Sequence, residues 1–184
     1  MDEHRLGLKP ITRGVWAPIG EWPTAFGHHR FEWLYVTGFV EPTTGQTVWN
    51  ISNAICKEMF EFILADFARS VGAGANKRIV LQLDNAGWHG PENLTVPDGI
   101  RLVFQPAHSP ELQPAEHLWT FVDEPLANHC FATIESLDQA VGDRCVPSPI
   151  NLTRSALAPC STGGHDRQKE VITRNRYYSW LPLP

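Results

Sequence analysis

The chain predicts an α/β fold, a mixed sheet flanked by helices, and three observations lead to it. "RFEWLYVTGFV" and "TVWNI", joined by "EPTTGQ", are rich in aromatic and β-branched residues and read as a strand hairpin. A stretch with apolar residues at four-residue intervals comes after them. Two short apolar runs, "RIVLQL" and "IRLVF", then give way to a Pro-rich turn and a return of helical spacing. Strands, helix, strand, strand, helix, helix is an order that implies a sheet covered by helices.

Taken in order, residues 2–30 carry scattered Trp, Pro and Gly and read as irregular strands and turns, with a local basic cluster of His28, His29 and Arg30. The hairpin comes next. Between Asn53 and Val71 the stripe Ile55, Met59, Ile63, Phe67 and Val71 marks an amphipathic helix, and Gly72 is its stop signal. "RIVLQL" has the unbroken apolar character of an interior strand and ends at Asp84. "IRLVF" is a second such strand. "QPAEHLWTFVDEPLANH" resumes helical spacing through Ala115, Leu118, Trp119, Val122 and Leu126, and "IESLDQAVGDRC" is a further short helix. Beyond it the chain is rich in Pro, Ser, Thr and Gly without sustained period, so residues 1–145 are expected as one domain and 146–184 as an irregular, partly disordered tail. The aromatic end "YYSWLPLP" is suited to docking back on the body.

Composition narrows the function classes. A chain of 184 residues with 42% apolar content and seven Trp has a core to bury. It shows no run of eighteen apolar residues and no secretory leader, so a cytoplasmic protein without membrane contact is expected. Four dispersed cysteines without a C-x-x-C pair suggest reduced thiols rather than a zinc knuckle or a disulfide scaffold. Through Asp143 there are 9 basic and 18 acidic residues, against 6 and 2 thereafter. Such an acidic body argues against strong autonomous binding to a phosphate backbone, so a nucleic-acid role would need metal ions.

Asp84, at the carboxyl end of a strand, and Glu116, at the start of a helix, are the acids placed for chemistry. A hard divalent cation takes one or two carboxylates and keeps other positions for water and phosphate, as phosphoryl transfer requires. Each acid has a plainer reading. "DNAG" is good turn chemistry for Asp84, and Glu116 falls at the third helical position after Pro114, where a capping glutamate is common. No G-x-S-x-G, P-loop or G-x-G-x-x-G motif is present.

The paired strings "LDNAGWH" and "SPELQPAEHLW" resemble the DDE transposases of bacterial insertion sequences in the Tc/mariner superfamily, whose pattern is an apolar strand ending D-N-x-x-x-H, then S-P-x-L-N-P-x-E-x-x-W. "DEHRLGLKPITRGVWAPIG" is similar to that family's stretch around its first catalytic acid. The resemblance covers residues 2–145. It implies a ribonuclease H-like fold with its first strand largely missing, since only Met1 precedes Asp2. It implies Asp2, Asp84 and Glu116 as catalytic, metal-binding acids, with two Mg2+ or Mn2+ ions. Asn85 and His89 match motif positions near the site; a lone His is more often structural, and the alternative is that His89 positions phosphate or a second-shell water. Glu111 lies in the same turn but off the motif, and Glu3, beside Asp2, reads first as a surface acid and second as a supporting group. Gln113 stands where the family usually has Asn, a change expected to alter a turn hydrogen bond. The implied activity is metal-dependent DNA phosphodiester cleavage and strand transfer, with element ends and target DNA as partners. The helix-turn-helix region that family members carry ahead of this domain has no match here, so a fragment is expected. The alternatives are an inactive remnant that acts by dimerising or pairing with full-length transposase, and an unrelated hydrolase of small phosphate esters.

Overall fold

A computed structural model describes residues 1–24, 27, 30–90, 94–107, 109–145 and 174–178. Strand β1 runs Asp2–Gly7, β2 Trp33–Val40 and β3 Thr47–Ser52; helix α1 spans Lys57–Val71; β4 is Ile79–Leu83 and β5 Ile100–Phe104; helices α2 and α3 are Glu116–Asp123 and Ile134–Cys145; β6 is Arg174–Tyr178. The first three strands and β6 form an antiparallel sheet in the order β1-β2-β3-β6. β4 and β5 pair in parallel, Leu81 opposite Leu102. The sheet structure is thus mixed, as expected. One rung joins its two parts, the Met1 ammonium donating to the Gln82 carbonyl at 2.7 Å.

Two expectations about strands are corrected. β1 is not a remnant: six residues from Asp2 onward pair in full register with β2, Asp2 opposite Gly38 through Gly7 opposite Trp33. The strand is built from Asp2 and the five residues after it, and its polar "DEHR" hides the period that an apolar strand would show. β4 is less interior than its composition implies, because Val80 is 68% exposed and β5 is its one laddered neighbour among the described residues.

Strand residues alternate between two faces, and this divides the core. On one face Leu6, Leu34, Val36, Trp49 and Ile51 bury against Leu118, Trp119 and Val122 of α2 and Leu137 and Val141 of α3. On the other, Met1, Phe39, Val48, Leu81 and Leu83 meet Met59, Phe60, Ile63, Leu64 and Phe67 of α1. Each such apolar side chain, fully buried, contributes about 1.5–3 kcal/mol.

The helices obey their sequence signals. α1 starts at Lys57, later than expected, buries Met59, Ile63 and Phe67 of the expected stripe with Val71 partly buried, and ends at Gly72, whose φ of 68° is open to glycine without strain. The N–H of Ala73 closes the turn onto the Ala68 carbonyl at 2.8 Å. α2 stops sooner than its apolar spacing suggests. Pro125 lacks an amide proton and breaks the ladder, so Glu124–Leu126 continues as a single 3-10 turn that still buries Leu126. α3 is held at its start by reciprocal bonds between Thr133 and Ser136. Cys130 and Cys145 are in no disulfide, whereas Cys56 is disulfide-bonded, against expectation; Cys160 lies outside the described residues. The same holds for His28 and His29, for most of the tail and for residues 179–184 of its aromatic end, whereas Tyr177 and Tyr178 belong to β6. Within the tail, Arg174–Tyr178 adds to the edge of β3 as β6. No helix among the described residues is long and apolar enough to cross a membrane.

Candidate metal centre

Asp2 opens β1, Asp84 directly succeeds β4, and Glu116 begins α2. Alternation along β1 turns Asp2, His4 and Leu6 towards α2, and Glu3 towards α1. α2 answers with Glu116, Trp119 and Asp123, spaced by three and four residues along one helical face. Trp119 donates its indole N–H to Asp2 Oδ2 at 2.6 Å. His4 stacks on the Trp119 ring, centroids 4.9 Å apart, and its Nε2 lies 2.8 Å from Asp123 Oδ1. α2 is therefore pinned to β1 beside Asp2, which sets where Glu116 sits.

Gly38 eases this close approach. A Cβ at that position would lie 3.1 Å from Leu118 Cδ1 and 3.2 Å from Trp119 Cη2, so a larger residue there would press α2 away from β2.

Charge coupling reveals the neighbourhood of the three acids. The carboxyl of Glu116 is pushed above the ordinary glutamate range, chiefly by desolvation and next by the negative charge of Asp2. His4 and His117 pull it back, while Asp84 adds to the rise. The Glu116 side chain makes no hydrogen bond among the described residues, so it does not act as the capping group that its position suggests. The Met1 ammonium, lowered to about 6 by burial, feels the attraction of Asp2, Glu3 and Asp84. Asp2, Asp84 and Glu116 thus interact electrostatically.

Asp84 fulfils its turn reading as well. Its Oδ1 accepts the Ala86 amide at 3.0 Å, closing an Asx turn, and also the His89 Nδ1 proton at 2.8 Å. Nδ1 faces a second acceptor, the Asp84 carbonyl at 3.3 Å, so this nitrogen carries the proton. His89 Nε2 lies 2.8 Å from Glu3 Oε1. Glu3 is consequently no surface acid: its side chain is only 6% exposed and that of His89 only 1%. The alternation of β1 is the signal that turns Glu3 inward. Burial raises the Glu3 carboxyl, an effect that the bond to His89 partly offsets. Burial alone would lower His89, but hydrogen bonds and charge from Glu3 and Asp84 outweigh it and raise it. Both directions have one meaning, that this buried chain of groups retains a proton.

The remaining motif residues frame the site. Asn85 donates to the Gln105 carbonyl at 2.8 Å and so ties the ends of β4 and β5 together. Gln113 is buried and donates to the Met1 carbonyl at 2.5 Å, so its effect reaches β1 rather than a local turn. Glu111 is exposed, away from the cluster as expected. Glu3, Asp84 and His89 also form the one compact group of potential metal ligands among the described residues.

The three acids singled out by the motifs are thus carried by the first strand, the end of β4 and the start of α2. The family model for the DDE superfamily endonuclease matches residues 1–138, and the chain belongs to that family. The uncharacterized protein y4pE/y4sA of Sinorhizobium fredii (strain NBRC 101917 / NGR234) is 40% identical over 106 residues, 57% of this chain and 77% of that protein. Two solved structures are similar in fold, the Mos1 strand transfer complex at 18% identity and a Mos1 transposase paired-end complex with left transposon end at 16%, both with a TM-score of 0.55. Each likeness covers 77% of this chain and under half of the Mos1 chain, 44% and 45%. The ribonuclease H-like class expected from the motifs is therefore the fold.

Proposed function

We propose that this chain is the catalytic domain of an insertion-sequence transposase, cutting a DNA phosphodiester at an element end and joining the freed 3'-hydroxyl to target DNA. The observation that carries the reading is the placement of Glu116 beside the aspartates: Trp119 of α2 is bonded to Asp2, and the charges of Asp2 and Asp84 both raise the Glu116 carboxyl. Three hard oxygen donors that repel one another suit Mg2+ or Mn2+, and two ions are the expected complement. Bound there, such ions supply activation of the attacking hydroxyl and charge neutralisation at the leaving oxygen.

The side chains prepare that site. Asp2 commits one oxygen to Trp119 and Asp84 one to Ala86 and His89, which orients both carboxylates. The Glu116 carboxylate has no competing hydrogen bond among the described residues. Positioning and electrostatics account for this kind of chemistry, and no covalent nucleophile is required. Element ends and target DNA are the proposed partners and the cytoplasm is the proposed location.

Nicking of plasmid DNA in Mg2+ or Mn2+ tests the assignment. Wild type is expected to nick, and Asp84→Asn to lose roughly 100-fold or more in rate; equal nicking by both would remove the assignment. A second reading, a non-catalytic module that pairs with a second copy or with full-length transposase, is favoured by one observation. Between β1 and β2 the chain exposes Trp16, Ile19 and Trp22, each more than 90% accessible, and clustered exposed apolar residues mark interaction sites. Absence of nicking together with dimers in sedimentation would support this reading; strictly monomeric behaviour would count against it.

A further inference from the structure

Beneath α1, on the face of β1 opposite to Trp119, lies a chain of three groups that the nuclease reading leaves unexplained, Glu3 and His89 buried and Asp84 partly exposed at its end. Glu3 Oε1, the His89 imidazole and Asp84 Oδ1 are joined by contacts of 2.8 Å at each ring nitrogen. Phe60 of α1 lies over the His89 ring at 4.4 Å between centroids, and Trp88 meets it edge-on at 5.8 Å. The ring is thereby fixed in plane and depth. An imidazole and a carboxylate so deep would be costly if either were left unpaired.

We infer that Glu3 and His89 are positioning residues for the metal centre: Glu3 anchors the His89 ring, and His89 holds the Asp84 carboxylate so that its second oxygen is presented to a divalent cation. This role rests on the assignment of Asp84 as a metal ligand. The three groups are not themselves a metal site. The two ring nitrogens of His89 point away from each other, one bonded to Asp84 and the other to Glu3, so no single ion can take the imidazole together with both carboxylates. A carboxylate, an imidazole and a metal-binding group in series is the arrangement by which supporting residues orient ligands, and its loss lowers metal affinity about 10–100-fold. Here the imidazole supports a carboxylate ligand instead of being the ligand.

The order of dependence along the chain gives the test. Mn2+ affinity is measured by calorimetry on the whole chain for wild type, Glu3→Gln, His89→Asn, Asp84→Asn and Val141→Ala. Val141 is buried on α3, across the sheet, and its variant controls for simple loss of stability. Glu3→Gln preserves shape and is the safeguard if His89→Asn fails to fold. Expected are loss of binding in Asp84→Asn, a fall of about 10–100-fold in His89→Asn, a smaller fall in Glu3→Gln, and no change in Val141→Ala once its folded fraction is counted. In the metal-free protein, proton NMR should show an exchange-protected ring N–H that disappears in His89→Asn and shifts in Glu3→Gln. Wild-type affinity in the Glu3 and His89 variants, with binding lost in Asp84→Asn, would overturn the positioning role alone. Wild-type affinity in Asp84→Asn would overturn the metal assignment and this role with it.

Discussion

Glu116 illustrates what a group of neighbouring acids costs a fold. Its ionised form is disfavoured by desolvation and by Asp2, so its folded-state titration lies higher than its unfolded one. Linkage sets the sign: relative stability is fullest below the unfolded value and is lost as pH rises through the folded one. Replacing Asp2 by Asn removes a repelling charge and keeps an oxygen for the Trp119 indole. Asp2→Asn should therefore lower the Glu116 carboxyl, measured by carbon NMR titration, and leave the metal-free Tm at neutral pH unchanged or raised. An unmoved Glu116 would mean that Asp2 and Glu116 do not share a site. At this scale the places of Asp84 and Glu116, at a strand end and a helix start, were legible from the residues, whereas Asp2 was singled out only by the resemblance of the motifs. The place of Glu3 was not legible. "DEHR" offers two neighbouring acids with no apolar period to show which face each takes, and only the register with β2 separates them.

Among the elements, the β1–α2 contact matters most, since it decides where Glu116 points. Gly38 leaves the space for it, and the Trp119 indole fastens it. Gly38→Val should cost about 1–3 kcal/mol by overpacking, seen in urea unfolding, and should weaken Mn2+ binding as α2 is pushed off β2. Gly99 is the corresponding point in the other half of the fold. Its φ is +84°, and a Cβ there would run into the backbone nitrogen of Gly74. Gly99→Ala should thus destabilise the β4–β5 unit by more than the ~1 kcal/mol of an ordinary glycine replacement, with the midpoint of urea unfolding as readout. The hairpin, α1 and α3 were readable from period and stop signals. β1 was not, because its inward positions are occupied by the acids and histidines of the site. The end of α2 was not legible either, since its apolar spacing continues past Pro125 while its hydrogen bonds cannot.

For the molecule as a whole, the acidic excess through Asp143 has to coexist with a polyanionic substrate. Without enough Lys and Arg to displace counterions, the chain alone should bind DNA no more tightly than the non-specific range of about 10⁻⁴–10⁻⁶ M, with a shallow salt dependence. Fluorescence anisotropy in the absence of divalent ions checks this; nanomolar binding would contradict it and would require a basic surface on the chain. Divalent ions should tighten the interaction, because they neutralise the carboxylates that would otherwise repel phosphate. The overall class was legible from the order of elements. The division of the sheet into two laddered parts was not, since it depends on Met1 and Gln113 bridging β1, β4 and the turn before α2.

The convergence of Asp2, Asp84 and Glu116 on shared metal ions is tested most directly by calorimetric titration of Mn2+ into the wild-type chain and into Asp2→Asn, Asp84→Asn and Glu116→Gln. Binding by wild type and its loss or severe weakening in all three variants is expected. Undiminished binding in any one of them would show that this acid is not part of the centre, and no binding by the wild-type chain would contradict the proposed catalytic role of the chain acting alone.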